Sequence, residues 1–223
     1  MERKFTFAEG EYYHIYNRGV EKRDIFMSGD DYRRFQRLLY LANGSKPFVY
    51  KLVQRMPLDK IDVGDKLVAI GAYCMMPNHF HILAKEVTEG GISAFMEKLT
   101  TGYSKYFNKK HERVGTLFQD RFKAEHVDND EYLKYLYSYI HLNPVKLIDP
   151  TWKEVGIRDA EKTRQYLEGY HSSSYPDYLG REREERLILS KAEFPEYFDE
   201  PKDFAEYIKD WLEFVRNGGV PYH

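Results

Sequence analysis

His79 and His81 stand two residues apart in the segment Tyr73-Cys-Met-Met-Pro-Asn-His-Phe-His-Ile-Leu-Ala84, which reads as a strand. Side chains alternate across a strand, so both imidazoles project to one side while Phe80 and Ile82 point to the other. This is a metal-binding pair that lacks a third ligand. Taken alone it is weak, because histidines on strands are commonly structural. In Tyr137-Ser-Tyr-Ile-His-Leu-Asn-Pro-Val145, Tyr139 and Asn143 lie four apart near the end of a helical stretch, on one face.

Combined, these side chains are the parts of one reaction. Two neutral imidazoles and an amide oxygen make an open shell for a divalent ion that still accepts substrate oxygens, unlike the closed four-ligand shell of structural zinc. A tyrosine phenol, with an ordinary pKa of about 10, is a poor nucleophile until an ion stabilises its charge or a base takes its proton. With Asn143 one turn away on the same ion, Tyr139 is placed for in-line attack on phosphorus. Tyr135 and Tyr137 are rivals by residue type. The bland expectation for Tyr139 is a core tyrosine on the stripe Tyr132, Leu136, Tyr139, Ile140.

The elements that must carry these groups follow from periodicity. Strands are expected at Tyr12 to Asn17, Phe48 to Val53, Leu67 to Met75 and Asn78 to Lys85, the last two joined by a turn at Pro77-Asn78. Helices are expected from Asp30 to Ala42, Ser93 to Lys110 and Glu131 to His141, the last with an Asx cap and a limit at Pro144. Residues 117–127 read as extended. The order suggests an α+β fold, an antiparallel sheet with helices packed on one face. Residues 1–150 form the expected main domain. Residues 151–223 form a helical and irregular C-terminal extension that ends in an amphipathic helix, Asp203 to Arg216.

Composition narrows the class. The chain has 223 residues, a formal charge of −2, and 20 Tyr and 14 Phe. A single cysteine, Cys74, excludes an internal disulfide, and the first residues lack the apolar run of a signal peptide, so a cytoplasmic protein without a membrane span is expected. Charge is uneven: from Lys98 to Lys123, seven Lys or Arg oppose two acids, for a local +5. Such a stretch can follow a phosphate backbone, although a solvated helix face is its plainer reading.

Four ordered motifs carry a family resemblance: Tyr13-His-Ile-Tyr-Asn-Arg-Gly19, Met76-Pro-Asn-His-Phe-His-Ile-Leu83, Phe118-Gln-Asp-Arg-Phe122 and Tyr139-Ile-His-Leu-Asn-Pro-Val145. From about residue 10 to 150 the chain resembles the single-tyrosine HUH transposases of the IS200-like type, and most of all their REP-associated tyrosine transposase branch. His171-Ser-Ser-Ser-Tyr175 resembles a Ser-Ser-Tyr element that often follows there.

The resemblance implies a ferredoxin-like sheet with the histidine pair on a central strand and the nucleophile on a helix laid across it. It implies cleavage and rejoining of single-stranded DNA, at hairpin-forming sites, through a 5′-phosphotyrosine intermediate with Mg²⁺ or Mn²⁺. By position, Tyr139 is the nucleophile and His79, His81 and Asn143 are the metal ligands. His14, Arg18, Lys105, Lys109, Arg121 and Lys123 are the candidate DNA contacts, although a structural role suits His14 at least as well; Tyr103 or Phe107 offers a ring to a base, although both fit the core better. The family contains both homodimers and monomers. Competing readings are a relaxase-like or replication-initiator-like nickase, a domesticated sequence-specific DNA-binding protein that does not cut, and a ferredoxin-like binding domain with a buried histidine pair.

Overall fold

A β-α-β-β-α-β order runs through the sheet-forming part of the computed structural model, which describes residues 6–216. Residues 1–5, part of the segment read for a leader, and 217–223, the end of the extension, lie outside the described residues. The elements are β1 (Tyr12–Arg18), α1 (Gly29–Leu41), a short α2 (Tyr50–Val53), β2 (Val68–Met76), β3 (His79–Glu86), α3 (Gly91–Lys110), β4 (Lys123–Val127) and α4 (Asp130–Leu142). The strands form one sheet in the order β2-β3-β1-β4, every neighbouring pair antiparallel, which is the ferredoxin-like arrangement.

Strand alternation then sorts the side chains between two layers. Ile15, Phe80 and Ile82 face α1 and α3, and Phe35 of α1 packs on both Phe80 and Tyr103, each at 5.0 Å between ring centroids. His14 and Tyr16 of β1, His79 and His81 of β3 and Glu125 of β4 share the other face. α1 and α3 therefore form the expected single-sided layer, and α4 adds a further layer across the histidine face.

α4 starts where the Asn129 side chain accepts a hydrogen bond from the Tyr132 amide at 2.7 Å, and its first turn carries Asp130 and Glu131 against the helix dipole. Leu133, Leu136 and Ile140 are its buried stripe. It ends at Leu142, and Asn143–Leu147, with Pro144 near its start, continues as a 3-10 turn.

The strand expected at Phe48 to Val53 does not form. The segment follows Pro47, and its last four residues are α2. Phe48, Tyr50 and Val53 pack on a small cluster of Leu41, Leu58 and Ile61, with the Arg34 guanidinium 3.1 Å over the Tyr50 ring. A fifth strand would need an open edge beside β2, and part of that edge is taken. The Met75 amide donates to Ser172 O, the Ser174 amide donates to Tyr73 O, and the Tyr73 amide donates to Ser174 Oγ, each at 2.9 Å.

The extension comprises α5 (Trp152–Val155), α6 (Ala160–Glu168), α7 (Tyr175–Tyr178) and α8 (Pro201–Arg216). Trp152, Leu167, Tyr175, Phe204, Ile208 and Leu212 belong to the same apolar cluster as the sheet residues. Each fully buried apolar side chain of this kind contributes about 1.5–3 kcal/mol. Trp211 lies against Tyr135 of α4 at 5.4 Å, and the Tyr207 hydroxyl donates to Lys134 O at 2.9 Å, so α8 braces α4 from outside. Among the described residues, no helix is long and apolar enough to cross a membrane.

Candidate active site

The sheet supplies three imidazoles to one spot and α4 supplies a phenol above them. His81 stacks with His14 at 5.0 Å between centroids and meets His79 edge-on at 5.1 Å. The Tyr139 ring stands perpendicular to both inner histidines, at 5.5 Å from His14 and 5.6 Å from His81. Tyr139 is half-buried between the fully buried Ser138 and Ile140, so its phenol faces an opening. The rival tyrosines are not so placed. Tyr137 is buried among Tyr178, Tyr197 and Phe198, while Tyr135 packs between Tyr139 and Trp211.

The ring nitrogens show what the pair can hold. His79 Nδ1 lies 2.6 Å from Asn78 Oδ1, and His81 Nδ1 lies 2.8 Å from His14 Nε2, which leaves Nε2 of each ring uncommitted. Asn143 donates from Nδ2 to Tyr139 O at 2.8 Å, and its Oδ1 takes no hydrogen bond from the described residues. Two bare imidazole nitrogens and one amide oxygen suit a divalent cation with positions left for substrate oxygens. Among the described residues no three His, Cys, Asp or Glu side chains gather as a metal group, so a third donor has to come from an amide or from substrate.

The electrostatics agree with this chemistry. Burial, aided by Lys146 and Arg18, pushes His79 down to about 4, and burial with His14, His79 and Lys153 pushes His81 well below the ordinary value. Both rings are therefore neutral at pH 7, as ligands must be. Burial and the Glu125 carboxylate raise the Tyr139 phenol, so it stays protonated without a cation beside it. Lys153 Nζ sits 4.9 Å over the Tyr139 ring.

Sequence reasoning missed Glu125, Tyr16, Lys146 and Lys153. Glu125 accepts from the Tyr16 hydroxyl at 2.8 Å and the Tyr132 hydroxyl at 3.2 Å, and His14 beside it, with those hydroxyls, holds it at about 2. Alternation from His14 to Tyr16 was readable on β1. Lys146 lies in the 3-10 turn Asn143–Leu147 and Lys153 in the four-residue α5, both too short to carry a periodic signal.

The candidate DNA contacts divide. Arg18, paired with Gln119, lies opposite His79 in the β1–β3 register, Lys123 lies opposite Tyr16, and the exposed Arg121 precedes β4. These three stand at the histidine end of the sheet. Lys105 and Lys109 are exposed on α3, in the layer behind the sheet, and are not brought to the site. His14 is 3% exposed, with its ring turned to His81 and Glu125, so it supports the site from beneath and offers no surface to DNA. Tyr103 and Phe107 are core residues at 0% and 1% exposure and present no face to a base.

Residues 62–143 match the family model described as "Transposase IS200 like". The fold is similar to that of a REP-associated tyrosine transposase solved bound to a REP hairpin, with a TM-score of 0.51 over 81% of this chain and 86% of that one. Sequence identity to that protein is 15%, so the likeness is one of fold. No curated protein matches this chain.

Proposed function

Because residues 62–143 match the IS200-like transposase family model, we propose that this chain is a metal-dependent enzyme that cleaves and rejoins single-stranded DNA through a 5′-phosphotyrosine intermediate. The hairpin-bound state of the similar transposase supports a hairpin-forming strand as substrate. The observation that carries the reading is the half-open Tyr139 ring set 5.6 Å from His81, whose Nε2 is uncommitted.

Tyr139 is the nucleophile. Its oxygen bonds to phosphorus, the bond from phosphorus to the 3′-oxygen breaks, and the phenolic proton lost on one side is matched by the proton gained by the 3′-hydroxyl on the other. His79, His81 and Asn143 would hold Mg²⁺ or Mn²⁺, which supplies charge to polarise the scissile phosphate and to stabilise the phenolate. Lys153, over the Tyr139 ring, and Arg18, beside His79, face the phosphate backbone. Within the chain the α4 tyrosine stands against His81 and His14. Because the phosphotyrosine bond retains the energy of the broken one, attack by a 3′-hydroxyl reseals the strand without a nucleotide cofactor.

The test is a denaturing gel of the protein mixed with Mn²⁺ and labelled single-stranded fragments from the DNA flanking its own gene. A covalent protein–DNA band with wild type, absent in EDTA and absent with Tyr139→Phe, is expected. A band of equal intensity with Tyr139→Phe would remove Tyr139 as nucleophile.

A further inference from the structure

Behind each of the two histidines a chain of polar contacts runs outward to a fixed acceptor. His79 Nδ1 lies 2.6 Å from Asn78 Oδ1, and Asn78 Nδ2 donates to Lys22 O at 3.1 Å. Only one orientation of that amide serves both partners, so its oxygen faces His79 and the His79 proton must sit on Nδ1. Lys22 O is held by a tight turn in which Glu21 and Lys22 adopt φ of 57° and 59°. The same turn brings the Gly19 amide to Asn78 O at 2.9 Å and leaves no space for a side chain at residue 19, where a Cβ would lie 2.3 Å from Arg23 O. Two adjacent non-glycine residues in the left-handed region are costly, and strain of this kind persists where the surroundings enforce it.

The second chain passes through His14. One proton lies between His81 Nδ1 and His14 Nε2, 2.8 Å apart, and the pair alone has two equivalent arrangements. Glu125 breaks the tie. His14 Nδ1 is buried without a hydrogen bond, and Glu125 Oε2, oriented by Tyr16 and Tyr132, is 3.8 Å from it. A carboxylate at that place favours N–H over a lone pair on Nδ1. With its proton on Nδ1, His14 accepts at Nε2, so His81 donates from Nδ1 and its Nε2 is bare.

We propose that Asn78 and the His14–Glu125 pair are positioning residues that lock His79 and His81 in one tautomer, Nδ1 protonated and Nε2 bare, turned toward a divalent cation. The purpose rests on the metal-dependent reading above; the tautomers rest on the Asn78 and His14 hydrogen bonds and on the Glu125 carboxylate beside His14 Nδ1. Tyr132 and Tyr139 lie two turns apart on α4, so Glu125 also links ligand orientation to the helix that carries the nucleophile.

Long-range ¹H–¹⁵N correlation spectra of the full, metal-free, histidine-labelled chain at pH 7.5 distinguish the tautomers directly. Wild type is expected to show Nδ1–H at both His79 and His81. Glu125→Ala is expected to mix the tautomers of His81 alone, and Asn78→Ala those of His79 alone, with Asn78→Asp, which keeps an acceptor oxygen, restoring the single form. Mn²⁺ titration followed by electron paramagnetic resonance should show affinity about 10- to 100-fold weaker in both alanine variants. Amide spectra check that each variant is folded. Nε2–H at either histidine in wild type would overturn the proposal, as would alanine variants that keep both the tautomers and the Mn²⁺ affinity. Wild type with the expected tautomers but no Mn²⁺ binding would instead overturn the metal-dependent reading of the site.

Discussion

His141 and Ser174, 33 residues apart in sequence, meet at 2.7 Å between ring Nε2 and hydroxyl. The His141 Nδ1–H donates back to Tyr137 O at 2.8 Å, so Nε2 must accept and the serine must donate. Ser174 Oγ at the same time accepts from the Tyr73 amide at 2.9 Å. One hydroxyl thus joins α4, the β2 edge and the extension. The Ser-Ser-Tyr element has here a mechanical role: it fixes the helix that presents Tyr139 against the strand beside the histidines.

Ser174→Ala strands a buried backbone amide and a buried ring nitrogen together. Each unsatisfied group costs about 1–3 kcal/mol, and relaxation recovers part of it, so a net loss of about 2 kcal/mol is expected. Urea unfolding measures it. A midpoint equal to that of wild type would mean that Ser174 does not carry the junction.

The buried histidines set the response to acid. Burial lowers His141 to about 3 and His79 to about 4 in the folded chain, against about 6.5 when unfolded. The unfolded chain therefore binds more protons than the folded one below that value. Their stability contribution is complete above pH 6.5 and is lost as pH falls through 6.5 toward the folded values. The loss is about 1.4 kcal/mol per pH unit per histidine. Urea midpoints between pH 7 and pH 5 should fall steeply for wild type, and His141→Gln should remove about one proton from the slope. A flat profile in wild type would show that these rings are not held neutral.

Much of this arrangement was legible before any coordinates, for specific reasons. Alternation put His79 and His81 on one face, and the four-residue spacing of Tyr139 and Asn143 put them on one side of a helix, because both inferences depend only on backbone period. Long-range packing was not legible. Nothing local says that Phe48 to Val53 is denied a sheet edge by Ser172 to Ser174, more than 100 residues later. For His14 the sequence left a DNA contact and a structural role both open, since burial beneath His81 follows from the β1–β3 register rather than from residue type. Glu125 shows no pattern in sequence, and its significance appears only when Tyr16, Tyr132 and His14 converge on it.

The division of basic residues has a measurable consequence for DNA binding. Arg18 lies opposite His79 in the β1–β3 register, and the charges of Lys146 and Arg18 both act on His79, so both are candidates to meet a phosphate held beside the histidines. Lys105 and Lys109 project from α3 behind the sheet. Each contacting cation contributes about 0.7 to the slope of log K against log salt for a single strand. Arg18→Ala and Lys146→Ala should each reduce the slope by about that amount, and the Lys105→Ala/Lys109→Ala double variant should leave it unchanged. A reduced slope in the double variant would put the DNA path over α3 instead.

Tyr139→Phe separates chemistry from architecture more cleanly than any other change. The ring makes the packing contacts, edge-on to His14 and His81 and under Lys153, and Phe keeps them all. The substitution removes only an oxygen, so stability should stay within about 0.5 kcal/mol of wild type. Strand binding should persist, while covalent capture of DNA should vanish, because the neighbouring phenols are committed elsewhere: Tyr137 is enclosed, Tyr135 is packed against Trp211, and the Tyr16 and Tyr132 hydroxyls donate to Glu125. His79→Ala gives the complementary result. His79 is half-buried at the start of β3, so its loss should leave the fold intact while abolishing cleavage that depends on Mn²⁺. Melting curves and the covalent-adduct gel read both variants together. An unfolded His79→Ala protein would favour a structural histidine, and a folded one that still cleaves with Mn²⁺ would take His79 out of the metal site.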